Sequence, residues 1–254
     1  MDLGLSGRVC VVTGSTAGIG RETARLLADE GARVVTSGRS GAPGVGEELH
    51  VEVDLGRPGG PERLVAEAAA LAPVDVLVNN VGVAYQRDFL DVTDAQWDEL
   101  WQLNVMSYVR AIRAVVPSMR ERGGGVIVNV SSTAGKRPSG GMPDYSVTKA
   151  AVLSLSRLVA DLYAGDGIRC NAVAPGPTAS EAWLAEGGLA DQGAARSGKS
   201  RDEILAGVGA GRPLGRLAEP EEIAAVVAFL CSDRSAYVTG AAWSADGGTV
   251  PIIV

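Results

Sequence analysis

Short apolar runs alternate with longer stretches of helical periodicity along the whole chain, and few folds accommodate that alternation. Val9–Thr13 reads as a strand, Gly18–Glu30 as a helix stopped at Gly31, and Arg33–Ser37 as a second strand. Val51–Val53 reads as a third strand, followed by a helix over Glu62–Leu71 with Pro61 in its first turn. Val74–Asn79 is a run of the fully buried kind, and Asp94 is expected to cap a long helix reaching about Arg120. Strand Val126–Ser131, a helix from about Tyr145 to Tyr163, strand Arg169–Val173, helix Pro220–Leu230 and a short strand Ala241–Ser244 complete the pattern. This is the signature of an α/β doubly wound parallel sheet with helices on both faces. No repeat or low-complexity linker divides the 254 residues, so a single domain, 1–254, is expected. Hydrophobic residues make up 46% but aromatics only 4%, so the core must be built from small aliphatic side chains, as a twice-covered parallel sheet requires. The Ala- and Gly-rich stretch from Thr178 to Arg212 is too long for an ordinary loop and is expected to be a helical insertion or a mobile lid.

The net charge of −7 disfavours nucleic acid as a partner, which would call for a basic face, and disfavours an electrostatic membrane contact. No apolar stretch reaches the roughly 18 residues of a membrane span, and from Met1-Asp2-Leu3-Gly4 no signal peptide is expected. Cys10, Cys170 and Cys231 are far apart, fit no metal spacing, and read as small buried hydrophobes in a reducing compartment; no metal and a cytoplasmic location are expected. His50 is the sole histidine, so a Ser-His-Asp triad is disfavoured and acid–base chemistry near neutral pH needs another group.

Four places can carry chemistry. The first strand runs into Thr13-Gly14-Ser15-Thr16-Ala17-Gly18-Ile19-Gly20, where glycines let a phosphate approach the backbone at a helix N-terminus; a tight βα turn alone would also explain them. Asn79-Asn80-Val81-Gly82 closes the fourth strand, at the sheet end where ligands bind, and equally suits a polar turn. Tyr145 and Lys149 stand four apart on a helix and face the same way. An ammonium beside a phenol favours the phenolate, lowering the phenol's pKa and supplying an acid–base group without histidine; a plain surface pair is the alternative. Ser131 and Ser132 end the preceding strand, where a hydroxyl is able to bond a carbonyl or merely finish the strand.

Taken in order, Thr13–Gly20, Asp54, Asn79–Gly82, Asn104, Ser132, Tyr145, Lys149 and Pro175-Gly176 resemble the single-domain branch of the short-chain dehydrogenase/reductase family, including bacterial 3-oxoacyl-[acyl-carrier-protein] reductases. The offset of 13 residues from Ser132 to Tyr145 is the family's. The resemblance implies a Rossmann-type fold and hydride transfer between a nicotinamide cofactor and a carbonyl or alcohol. Tyr145 would be the general acid or base, Lys149 would hold the ribose and tune Tyr145, and Ser132 would position the substrate oxygen. Asn104, a poor helix former in mid-helix, would bind a water linking Lys149 to solvent. Gly14, Ser15, Thr16, Gly18, Ile19 and Gly20 would cradle the phosphates. Asn80 and Gly82 would line the adenosine ribose side, and Asp54 and Leu55 would touch the adenine. Pro175, Gly176 and Thr178 would contact the nicotinamide end. A homotetramer is implied, built on the helices near Asp94 and Tyr145, and the apolar tail 249–254 is expected to dock in it.

Two departures from the family stand out. Val81 replaces the usual Ala, which should alter packing only. Between Arg39 and Asp54 the chain is short and rich in Gly and Pro, so a loop beside the adenine is expected in place of a helix. The second strand ends Thr36-Ser37-Gly38-Arg39. Gly38 lacks the carboxylate that repels a 2′-phosphate, and Arg39, with Ser37 or Ser40, is suited to bind one, so NADP(H) is expected over NAD(H). Ala17, where NADP-preferring relatives often place a base, tempers the preference. The expected substrate is a free ketone or secondary alcohol. A 3-oxoacyl-[acyl-carrier-protein] reductase is the alternative, kept open by Lys136 and Arg137 and opposed by Gly123, Asp166 and the overall acidity. A catalytically idle NADP(H)-binding sensor is a further alternative, and an epimerase or dehydratase would need another glycine spacing and a second domain.

Overall fold

A computed structural model describes residues 2–251. Seven strands, β1 Val9–Val12, β2 Arg33–Gly38, β3 Leu49–Glu52, β4 Val76–Asn79, β5 Gly125–Val130, β6 Ile168–Pro175 and β7 Ala242–Ala245, form one sheet. Its order is β3-β2-β1-β4-β5-β6-β7, and every pairing is parallel. Helices α1 Gly18–Asp29 and α10 Pro220–Cys231 pack together on one face, and α2 Gly60–Leu71, α4 Ser107–Glu121 and α6 Pro143–Tyr163 cover the other. Alternation along each strand sends successive side chains to opposite faces. Val9 and Val11 join Leu64, Ile112 and Val159, whereas Cys10 and Val12 join Ala24, Leu27 and Val227. All three cysteines are buried and free, as their apolar surroundings in the sequence suggest.

The long helix expected from Asp94 differs in two ways. Its cap is Thr93, whose hydroxyl accepts from the amide of Gln96 while the Gln96 side chain bonds back to the Thr93 amide, a reciprocal box that leaves Asp94 as the first helical residue. The helix is also interrupted: α3 Asp94–Trp101 passes through a π-helical turn, Gln102–Met106, into α4. Helix α6 starts at Pro143, two residues before Tyr145, because proline fits the first turn. From β2 to β3 there is no helix, as the short crossover predicts.

Thr178 to Arg212 folds into α7 Glu181–Leu184, α8 Leu189–Ser197 and α9 Arg201–Ala210; α5 Thr133–Lys136 is a further short helix. The insertion is pinned to the segment after β4. The Gln86 amide donates to Gln192 Oε1 at 2.8 Å, and Gln86 Nε2 donates to the Leu189 carbonyl at 2.9 Å. The tail expected to dock, 249–254, extends beyond the described residues at 252–254. Among the described residues no helix is long and apolar enough to cross a membrane.

Candidate active site

The turn between β1 and α1 needs its glycines. Gly14 and Gly18 have φ of +61° and +53°, a region that L side chains rarely adopt. At Gly20 a Cβ would sit 2.3 Å from Asn80 Nδ2 and 2.4 Å from the Gly14 carbonyl oxygen. Asn80 straps this turn to β4: its Nδ2 donates to the carbonyls of Thr13 and Gly14, both at 2.9 Å, and its amide donates to Thr13 Oγ1. Its side chain therefore shapes the phosphate turn while the residue lines the cleft. Helix α1 opens with no side-chain cap and no acid in its first turn, so its first amide N–H groups and positive dipole end face the cleft lined by Gly18, Ile19 and Gly20. An anionic pyrophosphate fits that donor set.

Ser15 and Ser37, two residues expected at the cofactor, turn their hydroxyls inward. Ser15 Oγ donates to the Val12 carbonyl at 2.8 Å and accepts from the Ser37 amide at 2.9 Å; Ser37 is equally buried and points at Val12. Both tie β1 to β2, and neither hydroxyl is presented to a ligand. Leu55, expected at the adenine, is buried in the core, and Asp54 spends its carboxylate on the Gly56 amide at 2.9 Å and on Arg57. Both positions follow β3 at the edge of the sheet, where Leu55 closes the core above α2. Arg39 is exposed on the cleft wall with no side-chain partner among the described residues. Gly14, Gly82, Pro175, Gly176 and Thr178 line the cleft as expected; Thr16 lies beside Gly38.

Ser132, Tyr145 and Lys149 meet in this cleft, whose volume is about 1210 Å³. Ser132 caps α5, its Oγ accepting from the Ala134 amide at 3.1 Å, and its hydroxyl lowers the pKa of the neighbouring Tyr145 phenol. Lys149 is 3% exposed, donates to the Val130 carbonyl at 2.8 Å, and stands 5.7 Å from the centre of the Tyr145 ring. A lowered phenol pKa was the expectation; within the protein alone burial outweighs it. Desolvation pushes the Tyr145 phenol up against the opposing Ser132 hydroxyl, and it pushes the Lys149 ammonium down to about 7. Asn104 lies in the π-helical turn, fully buried. Its Oδ1 accepts from the Val83 amide, and its Nδ2 donates to the Val83 carbonyl and to Thr148 Oγ1 at 3.2 Å. Its side chain positions the segment after β4. A Cβ on Gly82 would lie 3.1 Å from Asn104 Oδ1 and 3.4 Å from Lys149 Nζ, which explains the glycine.

The Lys149 shift has a consequence for stability. Its folded value, about 7, lies below the ordinary 10.5, so between these pH values the unfolded chain holds a proton that the folded chain lacks. The cost of burying the charge is complete below pH 7 and fades as pH rises toward 10.5. Lys149→Met is therefore expected to be more stable than the parent by on the order of 2 kcal/mol at pH 6, with the gap narrowing toward pH 10. Urea unfolding of both proteins across this range checks the sign; a gap that widens with pH would contradict it.

Several contributors escaped the sequence reading. Arg87 donates to Asp144 at 2.6 Å, and Asp144, 0% exposed, accepts from the Tyr145 amide at 2.8 Å. Gln86 and Arg212 were also missed; only the adjacency of Asp144 to Tyr145 gave any signal. Lys136 turns away to the Ala242 carbonyl and Ser244, whereas Arg137 lines the cleft. A smaller hollow of about 560 Å³ lies at the amino ends of the strands. Arg8 is paired there with Asp233, Asp75 with Arg122, and the Arg169 guanidinium is spent on the carbonyls of Leu230 and Ser232; ligands of such sheets bind at the opposite, carboxyl ends.

Comparison with known proteins agrees with this geometry. A family model described as enoyl-(acyl carrier protein) reductase matches residues 14–250. The 2-keto-3-deoxy-L-fuconate dehydrogenase of Xanthomonas campestris is 36% identical, over 96% of this chain and 80% of its own. The 3-oxoacyl-[acyl-carrier-protein] reductase of Thermotoga maritima is 34% identical, over 97% of this chain and 99% of its own. The crystal structure of L-sorbose reductase from Gluconobacter frateurii, complexed with NADPH and L-sorbose, superposes with a TM-score of 0.92 at 34% identity, covering 100% of both chains.

Proposed function

The chain belongs to the short-chain dehydrogenase/reductase family and is an oxidoreductase that interconverts a ketone and a secondary alcohol with a nicotinamide cofactor, and from that premise we propose that it works with NADP(H) through Tyr145, Lys149 and Ser132. The observation that carries the reading is the convergence of Ser132, Tyr145 and Lys149 on the cleft into which the uncapped start of α1 opens. When bound, the nicotinamide supplies the hydride in reduction and takes it up in oxidation. Tyr145 gives the proton to the carbonyl oxygen in reduction and removes it in oxidation. Ser132 holds that oxygen, and Lys149 holds the ribose and returns the proton. The helices 181–210 act as the substrate lid. Assay of NADPH oxidation against a panel of ketones tests the reading, and no turnover of any of them would make the chain an idle NADP(H) sensor.

NADP(H) over NAD(H) rests on Arg39. Gly38 adds a steric reason for the missing carboxylate, since a Cβ there would lie 2.4 Å from Thr16 Cγ2. With Ser37 buried and Ala17 neutral, the guanidinium is the main donor to a 2′-phosphate. A charge-assisted contact contributes roughly 1.5–3 kcal/mol, about tenfold to a hundredfold in affinity. Arg39→Ala should lose that much kcat/KM with NADPH and little with NADH. Equal use of both cofactors by the parent would end the argument.

A free ketone remains preferred over a carrier-bound one, now on overall acidity alone. Asp166 and Gly123 lie at the amino ends of the strands, with Asp166 paired to Arg120 at 2.9 Å, far from any docking at the cleft mouth. Greater turnover of acetoacetyl-carrier protein than of a free β-keto ester would reverse the choice. A homotetramer is supported by α6, which exposes Val147, Leu158 and Leu162 by 51%, 54% and 58% along one side, with Trp101 of α3 at 37%. A monomer mass in light scattering would refute it.

A further inference from the structure

The charge of the cleft runs against that of the chain. The protein has 30 acidic and 23 basic residues, yet its cleft is lined by Arg39, Arg137, Lys149 and Arg212 against Glu181 and Glu186 only. Arg39 and Lys149 have duties toward the cofactor. Arg137 and Arg212 have none.

Arginines elsewhere in the molecule are mostly engaged: Arg33 with Glu48, Arg87 with Asp144, Arg122 with Asp75, Arg216 with Glu222. Arg212 differs. Its Nε is buried with no hydrogen-bond partner, and its guanidinium meets no carboxylate among the described residues. Leaving a buried donor unsatisfied is costly, and more so for a charged group. The residue is not free to swing away at its backbone. It follows the end of α9 with its amide bonded to the Gly209 carbonyl, and the next residues are clamped to the segment after β7, Leu214 donating to the Gly247 carbonyl at 3.2 Å. A cation held on the wall of a substrate cleft, its guanidinium without a carboxylate partner among the described residues, is suited to an anion that arrives with the substrate.

We propose that Arg212 is a clamp for a substrate carboxylate, so that the substrate is an oxo acid or the corresponding hydroxy acid; this rests on the function proposed above. A guanidinium presents planar, paired donors that match a carboxylate, and that pairing gives orientation as well as affinity. Arg137, five residues beyond Ser132 and exposed on the cleft wall, adds to the positive potential that draws such an acid in. A carrier-bound thioester has no carboxylate at that carbon and would leave the Arg212 donor unmet.

The test is a matched comparison with NADPH: 4-oxopentanoate, 5-oxohexanoate and 4-oxocyclohexanecarboxylate, each against its methyl ester. At least one acid is expected to exceed its ester in kcat/KM by roughly tenfold to a hundredfold, mostly through KM, with the advantage shrinking as salt is added. Arg212→Gln should erase that ratio, and Arg212→Lys should keep part of it. The Kd for NADPH, read by fluorescence, should be the same in both variants and the parent, which shows that the fold and the cofactor site are intact. Esters turned over as well as acids by the parent would overturn the proposal. So would a loss of NADPH affinity in Arg212→Gln, which would assign the arginine to the cofactor. No NADPH oxidation with acid or ester would instead sink the catalytic reading beneath it, and this inference with it.

Discussion

Tyr145→Phe is expected to lower kcat by a factor of about 10²–10⁴, the usual contribution of a positioned acid–base group, while the Kd for NADPH changes little. The physical reason lies in what surrounds the phenol. Burial pushes its pKa up, which keeps it protonated and ready to donate, and the Ser132 hydroxyl opposes that rise. Lys149 stands one helical turn on, with its pKa near 7, so the proton that Tyr145 gives up has a nearby source. With one histidine in the chain, and that one bonded to Thr36 and the Ser40 carbonyl near β2 and β3, no imidazole substitutes. Phenylalanine keeps the ring and its packing, so the fold and cofactor site should survive. Steady-state turnover with any accepted ketone, alongside fluorescence titration of NADPH, checks both halves. More than about a tenth of parent activity in the variant would mean that another group moves the proton.

Arg87→Ala should cost stability on a comparable scale, about 3–5 kcal/mol, the usual penalty for stranding one partner of a buried ion pair. Asp144 has no exposed surface, while Arg87 is 16% exposed at its side chain, so the carboxylate loses the partner that compensates its burial. The substitution also removes the guanidinium from over the Tyr85 ring, 4.4 Å away. Function should follow, because Asp144 also holds the Tyr145 amide and Arg87 bonds through its own amide to the Gly141 carbonyl. The pair thus fixes the segment after β4 against the start of α6. The double variant Arg87→Ala/Asp144→Ala should recover part of the loss, since no buried charge is then left alone. Urea denaturation of the two single variants and the double measures this coupling. A loss below about 1 kcal/mol for Arg87→Ala would show that water reaches Asp144.

The strands and major helices were legible to within a few residues because their signals are local. Val9 to Thr13 is apolar and β-branched, and Glu62 to Leu71 has helical periodicity behind a proline. The boundaries that slipped did so through capping chemistry, as at Thr93, whose partner is the Gln96 side chain, or through a register extension, as at β6, whose residues to Pro175 are paired by β7. The π-helical turn around Asn104 left no mark beyond an asparagine in mid-helix.

The candidate site divides the same way. Tyr145 and Lys149 share a helix face by spacing alone, and the glycines of the β1–α1 turn announce a backbone that side chains would obstruct; both follow from local geometry. The sequence by itself therefore determined the alternating architecture, the glycine-rich β1–α1 turn and the shared helix face of Tyr145 and Lys149. Which way a hydroxyl or a core residue faces was decided by the tertiary structure. Pairing of β1 with β2 turned the Ser15 and Ser37 hydroxyls inward, and closure of the core over α2 buried the Leu55 side chain. Arg87 found Asp144 across 57 positions of chain, and Arg212 came to line the same cleft as Tyr145 only because β6 delivers the helical insertion to that end of the sheet. Such contacts depend on burial and on packing between distant segments, which no local spacing encodes.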